Sequence, residues 1–94
     1  SNPPAPTLFY ITIMSFTVYI IQSFTTDRYY VGQTKDLSKR LIEHNNGKSL
    51  STRHGKPWHL IFHKTFPTRS LALQFESKIK KRGINRFLID QDNG

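Results

Sequence analysis

The sequence predicts a small α+β domain in which helices cover one sheet, with elements in the order β-β-α-β-α. Three observations carry that expectation. Two runs rich in β-branched and aromatic residues, FTVYIIQS and RYYVGQ, lie close enough for a hairpin. Two capped stretches with helical apolar spacing flank a third alternating run, WHLIFHKTF. The chain has 94 residues, 36% of them apolar, which suits one modest core and not two.

The elements follow in order. Residues 1–13 begin SNPPAPT and read as an extended or disordered lead upstream of the natural domain, which is expected over residues 14–90. Leu8 to Ile21 is largely apolar but has no basic start or cleavage site and is too short and interrupted to span a bilayer. Phe16 to Ser23 is apolar on both alternating faces, the pattern of a buried central strand. Phe24 to Asp27 is a turn, and Arg28 to Gln33 the antiparallel partner, with Gly32 marking a bulge or a close backbone approach. Asp36 is an N-cap for a helix through LSKRLIEH, with Leu37, Leu41 and Ile42 on its buried side. Asn45-Asn46-Gly47 stops it, and Lys48 to Pro57 forms a basic surface loop. In the third strand Trp58, Leu60 and Phe62 are expected on one face and His59, Ile61 and His63 on the other. Thr68 or Ser70 then caps a helix to about Arg82, with Leu71, Ala72, Phe75 and Ile79 as its apolar stripe. Gly83 closes it, Asn85 to Asp90 forms a short terminal helix, and residues 91–94 fray.

Charge narrows the partner. The formal net charge is +8, and between His44 and Ile89 ten Lys or Arg face a single acid, Glu76. Cations that meet phosphates release condensed counterions, so nucleic acid is the expected partner. Lys48, Arg53, Lys56, Lys78, Lys80 and Lys81 are the candidate phosphate contacts. With no cysteine, disulfides and thiolate metal sites are excluded, and a reducing, cytoplasmic setting is expected, with no membrane partner.

Three groups of residues have chemistry to offer. Glu76 flanks the apolar stripe of its helix, four residues after Ala72 and three before Ile79, so its carboxylate is directed toward the sheet. Such an acid requires a cation. Lys80 at i+4 or Arg69 would make it structural, whereas Mg²⁺ or Mn²⁺ would make it a ligand, since these ions need only one or two protein carboxylates when phosphate supplies the rest. Arg40 and His44, spaced i, i+4, share a helix face. Arg suits bidentate contact with phosphate and His titrates near neutrality, although the same pair on an exposed surface would only aid solubility. Tyr19 and Tyr30, near corresponding positions of adjacent strands, either pack a core or line a site, and a phenol is a poor base without a nearby cation. A histidine metal site from His54, His59 and His63 is disfavoured, because positions four apart on a strand are roughly 13 Å apart.

Taken as an ordered set, Thr17-Val18-Tyr19, then Tyr30-Val31-Gly32, then Arg40 and His44 on a helix, then Glu76 on a later helix, resemble the GIY-YIG nuclease family over Phe16 to about Leu88. The resemblance implies a compact domain with a three-stranded antiparallel sheet flanked by helices. It also implies one divalent metal held at Glu76, and DNA phosphodiester hydrolysis by an activated water with Arg40 countering phosphate charge. Tyr19 and Tyr30 would line the site, one of them as general base, with the preference for Tyr19. Thr17 stands where the first glycine of the name motif would be, which points to the small single-domain bacterial branch, similar to the N-terminal domain of excision-repair nucleases. Val31 replaces isoleucine, and Gln33 stands where some relatives carry lysine. Asn85 is the nearest match to an asparagine that several relatives place after the glutamate helix. The expected function is a metal-dependent endonuclease in DNA repair or recombination, with a non-cutting module for branched or damaged DNA as the alternative. With no accessory domain in the sequence, it is expected to read DNA shape or be directed to its target by a protein partner.

Overall fold

A computed structural model describes residues 15–93, so the lead over residues 1–13 lies outside the described residues. The order is β1 (Phe16–Ser23), β2 (Tyr29–Thr34), α1 (Leu37–Asn45), β3 (Trp58–Phe66), α2 (Arg69–Arg82) and α3 (Ile84–Asn93). The three strands form one antiparallel sheet ordered β2-β1-β3. This is the α+β arrangement the sequence predicts, with β1 in the centre as its doubly apolar pattern requires.

Alternation along β1 builds two apolar layers. Val18 and Ile20 face one side with Val31, Ala72, Ile79 and Phe87, and Phe62, Phe66 and Phe75 pack against them. Tyr19 and Ile21 face the other side with Trp58, and Tyr30, Leu37, Leu41 and Leu60 close around them. Helices α2 and α3 therefore cover one face and α1 the other. Val18, Ile20, Ile21 and Ile79 are fully buried, and burying one such side chain is worth about 1.5–3 kcal/mol.

β3 does not alternate as simply as its sequence suggests. A bulge shifts the register between Ile20 and Ile21, so that Ile20 faces Phe62 while Ile21 faces Leu60. Trp58 and Leu60 join the Tyr19 layer, whereas Phe62 crosses to the opposite one with Ile61. The extra residue reverses the side-chain parity downstream. It also separates two histidines expected on one face, because His59 pairs with Gln22 and His63 with Tyr19, residues of opposite parity on β1.

Local chemistry sets the helix ends. The Asp36 carboxylate accepts from the Lys39 N–H and the Thr68 hydroxyl from the Leu71 N–H, capping α1 and α2. Asn46 closes α1 and Gly83, at φ +97°, closes α2. Two expected core positions are exposed instead: Ile42 at 61% and Leu71 at 44%. Each lies at the margin of its helix's apolar stripe, beyond the reach of the sheet. α3 runs on to Asn93, longer than the terminal turn the sequence suggests, because Ile84, Phe87 and Leu88 dock on the same layer as Ile79.

Candidate functional site

The site is built around the outer strand β2 and the helix that follows it. Tyr19 on β1 pairs with Gly32, and Ile21 with Tyr30, so the two tyrosines share a face as diagonal rather than direct neighbours. Their rings are 6.3 Å apart. Gly32 is required by close approach: a Cβ there would lie 2.8 Å from the Tyr19 hydroxyl and 3.0 Å from Tyr30 Cε1. Its missing side chain lets Tyr19 lie across β2 toward the sheet edge.

α1 brings His44 beneath this pair. Its Nε2 is 2.8 Å from the Tyr19 hydroxyl, and its Nδ1 is 2.7 Å from the Thr52 hydroxyl. The imidazole is completely buried, and its ring also meets Tyr30 edge-on at 5.2 Å. Arg40, one turn earlier, donates to Glu43 Oε1 at 3.0 Å, and its charge is near enough to act on the Tyr19 hydroxyl. The i, i+4 spacing thus aims one cation and one imidazole at the same phenol.

The electrostatics follow from burial. Tyr19 is pushed up to about 12, chiefly by burial, with Arg40 pulling it back and the Glu76 carboxylate adding slightly to the rise. His44 is held below the usual imidazole value, first by burial and then by the Arg40 charge, with Glu43 partly opposing. An imidazole whose folded-state pKa is depressed contributes stability that is complete above its unfolded value, about 6.5, and is lost as pH falls toward the folded value. Thermal melts from pH 7.5 to 5 should therefore show a drop in Tm that His44→Gln reduces. Equal drops in the two proteins would contradict this account.

Glu76 arrives from the opposite face. α2 packs on the Val18 layer, and Gln33, paired with Val18 on β1, points the same way. The Glu76 side chain is 15% exposed, with Oε2 3.0 Å from Lys80 Nζ and Oε1 3.5 Å from Gln33 Nε2. Of the two cations that could pair with it, Lys80 does; Arg69 lies over the Phe16 ring instead. Tyr19 and Glu76 thus approach the β2 edge from its two sides, close enough for the Glu76 charge to be felt at the Tyr19 hydroxyl.

The remaining candidates are distributed unequally. Lys48, Arg53 and Lys56 are exposed on the loop that also carries Thr52. On α2, helical geometry turns Lys78 about 200° and Lys81 about 140° from Glu76, and both line a hollow with Phe66, Leu71 and Phe75. Asn85 is exposed beside Arg82, Arg86 and Asp90. His54, His59 and His63 do not gather: among the described residues no group of three His, Cys, Asp or Glu could hold a metal ion. Sequence reasoning does not find Thr52 or Glu43. Thr52 sits in an aperiodic loop, and only the three-dimensional fold brings it under His44.

The model of the GIY-YIG catalytic domain matches residues 15–85. The chain belongs to the GIY-YIG nuclease family. The matched span runs from the start of β1 to the start of α3, so it takes in all five residues of the ordered motif. Among GIY-YIG relatives, the chain is 34% identical over 86 residues to the structure-specific endonuclease subunit slx1 of Schizosaccharomyces pombe, covering 82% of this chain but only 31% of that protein. It is 39% identical over 64 residues to the UPF0213 protein SERP0126 of Staphylococcus epidermidis, covering 67% of this chain and 77% of that one. A solution NMR structure of the UPF0213 protein BH0048 from Bacillus halodurans is 27% identical, with a TM-score of 0.53 over 86% of this chain and 88% of that one. Among the described residues of this GIY-YIG domain, no helix is long and apolar enough to cross a membrane.

Proposed function

We propose that this GIY-YIG domain is a divalent-metal-dependent endonuclease that hydrolyses phosphodiester bonds in branched DNA, in repair or recombination. The observation that carries the reading is the convergence of His44 and Arg40 on the Tyr19 hydroxyl, with Glu76 at the other side of the same strand. The slx1 relative, a structure-specific endonuclease subunit by name, supports a substrate selected by its structure and cleavage alongside a partner subunit.

The residues fit a hard cation. Glu76 offers a carboxylate, and the neighbouring Gln33 has a buried amide oxygen without a hydrogen-bond partner. One carboxylate with water and phosphate is the donor set Mg²⁺ or Mn²⁺ accepts. Bound there, such an ion supplies Lewis-acid polarisation of a phosphoryl oxygen.

The chain's own groups do the rest. Arg40 neutralises charge that grows on the phosphate, a contribution of about 3–4 kcal/mol for a well-placed donor. Tyr19, with Tyr30 beside it, receives the proton of the attacking water. A phenol raised to about 12 is protonated at neutral pH, so as Tyr19 takes the water's proton it passes its own to His44 Nε2, 2.8 Å away, while the Arg40 charge favours the phenolate that forms in between. Such general-base help is worth about 10²- to 10⁴-fold in rate. Lys48, Arg53, Lys56 and Lys80 contact flanking phosphates without reading sequence.

Metal removal tests the proposal. Flap, junction and duplex DNA should be cut in Mg²⁺ or Mn²⁺, cleavage should stop in EDTA, and excess metal should restore it. Salt-sensitive binding with no cleavage of any of the three substrates in either ion would instead identify a module that holds branched DNA without cutting it.

A further inference from the structure

Phe24 opens the tight turn between β1 and β2, and among the described residues it is the one Phe, Tyr or Trp that is exposed, at 63%. Its ring stacks on that of His59, with centroids 4.1 Å apart and planes 22° from parallel. One face of the phenyl ring is therefore covered by a partly buried imidazole, and the other is open to solvent. The backbone beneath it is fixed. The Phe24 N–H donates to the Pro57 carbonyl, the Ser23 N–H donates to the Arg28 carbonyl, and the Ser23 hydroxyl accepts from the Thr25 and Thr26 N–H groups. An aromatic face held this rigidly loses little freedom when something stacks on it.

The surroundings select the occupant. Arg28 and Thr26, on the same turn, line a hollow with Ser51 and His54, and Arg53 and Lys56 are exposed on the loop that Pro57 ends. Asp27 is the only acid over residues 24–28 and 48–57. An open aromatic face among cations and hydroxyls stacks a base while the backbone phosphates are held, whichever base it is. Paired bases are already stacked on one another, so the ring takes a base that has left the stack. We propose that Phe24, backed by His59, is a stacking platform for an unpaired base at the branch of the DNA, with Arg28, Arg53 and Lys56 holding the neighbouring phosphates. This role rests on DNA being the substrate, as proposed above, and it gives the domain a means of telling a branch from plain duplex without reading sequence. Phe24 lies five residues along from Tyr19, roughly 17 Å at the rise of a strand and about five steps of stacked DNA. The unpaired base is thus held apart from the scissile phosphate, and Phe24 takes no part in the chemistry.

Binding measured in EDTA keeps the DNA intact and separates this role from cleavage. Phe24→Ala should bind a flap and an oligothymidylate about 5- to 150-fold more weakly, the scale of one lost base–aromatic stack. It should bind relaxed closed-circular duplex, which has neither ends nor unpaired bases, as the unaltered protein does. Phe24→Trp should restore both lost affinities. The chain's one tryptophan, Trp58, is buried, so the indole that Phe24→Trp introduces reports directly: oligothymidylate should quench its emission and circular duplex should not. The slope of affinity against salt should stay the same in Phe24→Ala, because no phosphate contact is lost. Undiminished affinity of Phe24→Ala for the flap, an equal loss on all three DNAs, or an unquenched indole overturns the proposal. Stacking in a protein that cuts no DNA in Mg²⁺ or Mn²⁺ would uphold the role of Phe24 and reject the nuclease reading.

Discussion

Glu76→Gln should abolish Mg²⁺-dependent cleavage, a fall of at least about 10³-fold, while DNA binding persists. The substitution keeps the shape of the side chain and removes the charge that would hold a cation, so it separates metal chemistry from substrate affinity. Its cost to the fold should be small. The Glu76–Lys80 pair is a one-turn helical pair whose lysine is 60% exposed, and solvent-screened pairs of this kind are worth about 0.3–0.5 kcal/mol. Binding should even tighten slightly at low salt, since one acid is lost from a chain of net charge +8. Cleavage followed beside a binding titration and a melting curve makes the comparison. Retained Mg²⁺-dependent cutting in a folded variant would rule out Glu76 as the metal ligand and leave the Lys80 pair as its whole role.

That Glu76 has both a lysine and a site beside it shows what sequence can and cannot reveal. Helical spacing places the carboxylate at the margin of the α2 stripe and offers Lys80 or Arg69 as an ion-pair partner, of which Lys80 is the one found. It cannot show that Gln33, on a strand 43 residues earlier, faces the same carboxylate. That pairing depends on strand register. Period-2 and period-3.6 patterns are local, so they locate β1, α1 and α2 and the caps at Asp36 and Thr68. They fail at the β3 bulge, where one inserted residue turns Phe62 to the opposite layer from Leu60. They fail again at Ile42 and Leu71, because apolar type at a stripe's margin does not say how far the sheet extends beneath it. In the motif itself, the spacing of Arg40 and His44 is legible. What makes that spacing consequential, a buried imidazole bridging Tyr19 and Thr52, is a property of the closed fold.

The same closure rests on a contact that leaves no room for a methyl group. A Cβ on Gly55 would fall inside contact distance of Trp58 Cζ2 and lie 3.0 and 3.1 Å from Cη2 and Cε2. The indole has little freedom to withdraw: it is 7% exposed, packed with Tyr19 and Ile21, and tied through its N–H to the Thr52 carbonyl. Nor has Gly55, whose carbonyl accepts from the Ser23 hydroxyl at 2.5 Å. Overpacking costs about 1–3 kcal/mol, and loss of the indole hydrogen bond would add about 0.5–1.5 kcal/mol. Gly55→Ala should therefore lower stability by about 2–4 kcal/mol, a large share of the roughly 5–15 kcal/mol a domain possesses. In a chain of this size that is a fall in Tm on the order of 10 °C or more. A double-mutant cycle identifies the cause. Trp58→Phe removes the benzo edge that the new methyl would strike, so Gly55→Ala should cost markedly less in that background. Additive losses would show that the damage lies in the loop backbone. Because this contact holds Thr52 under His44, the variant should also weaken cleavage at temperatures where it remains folded.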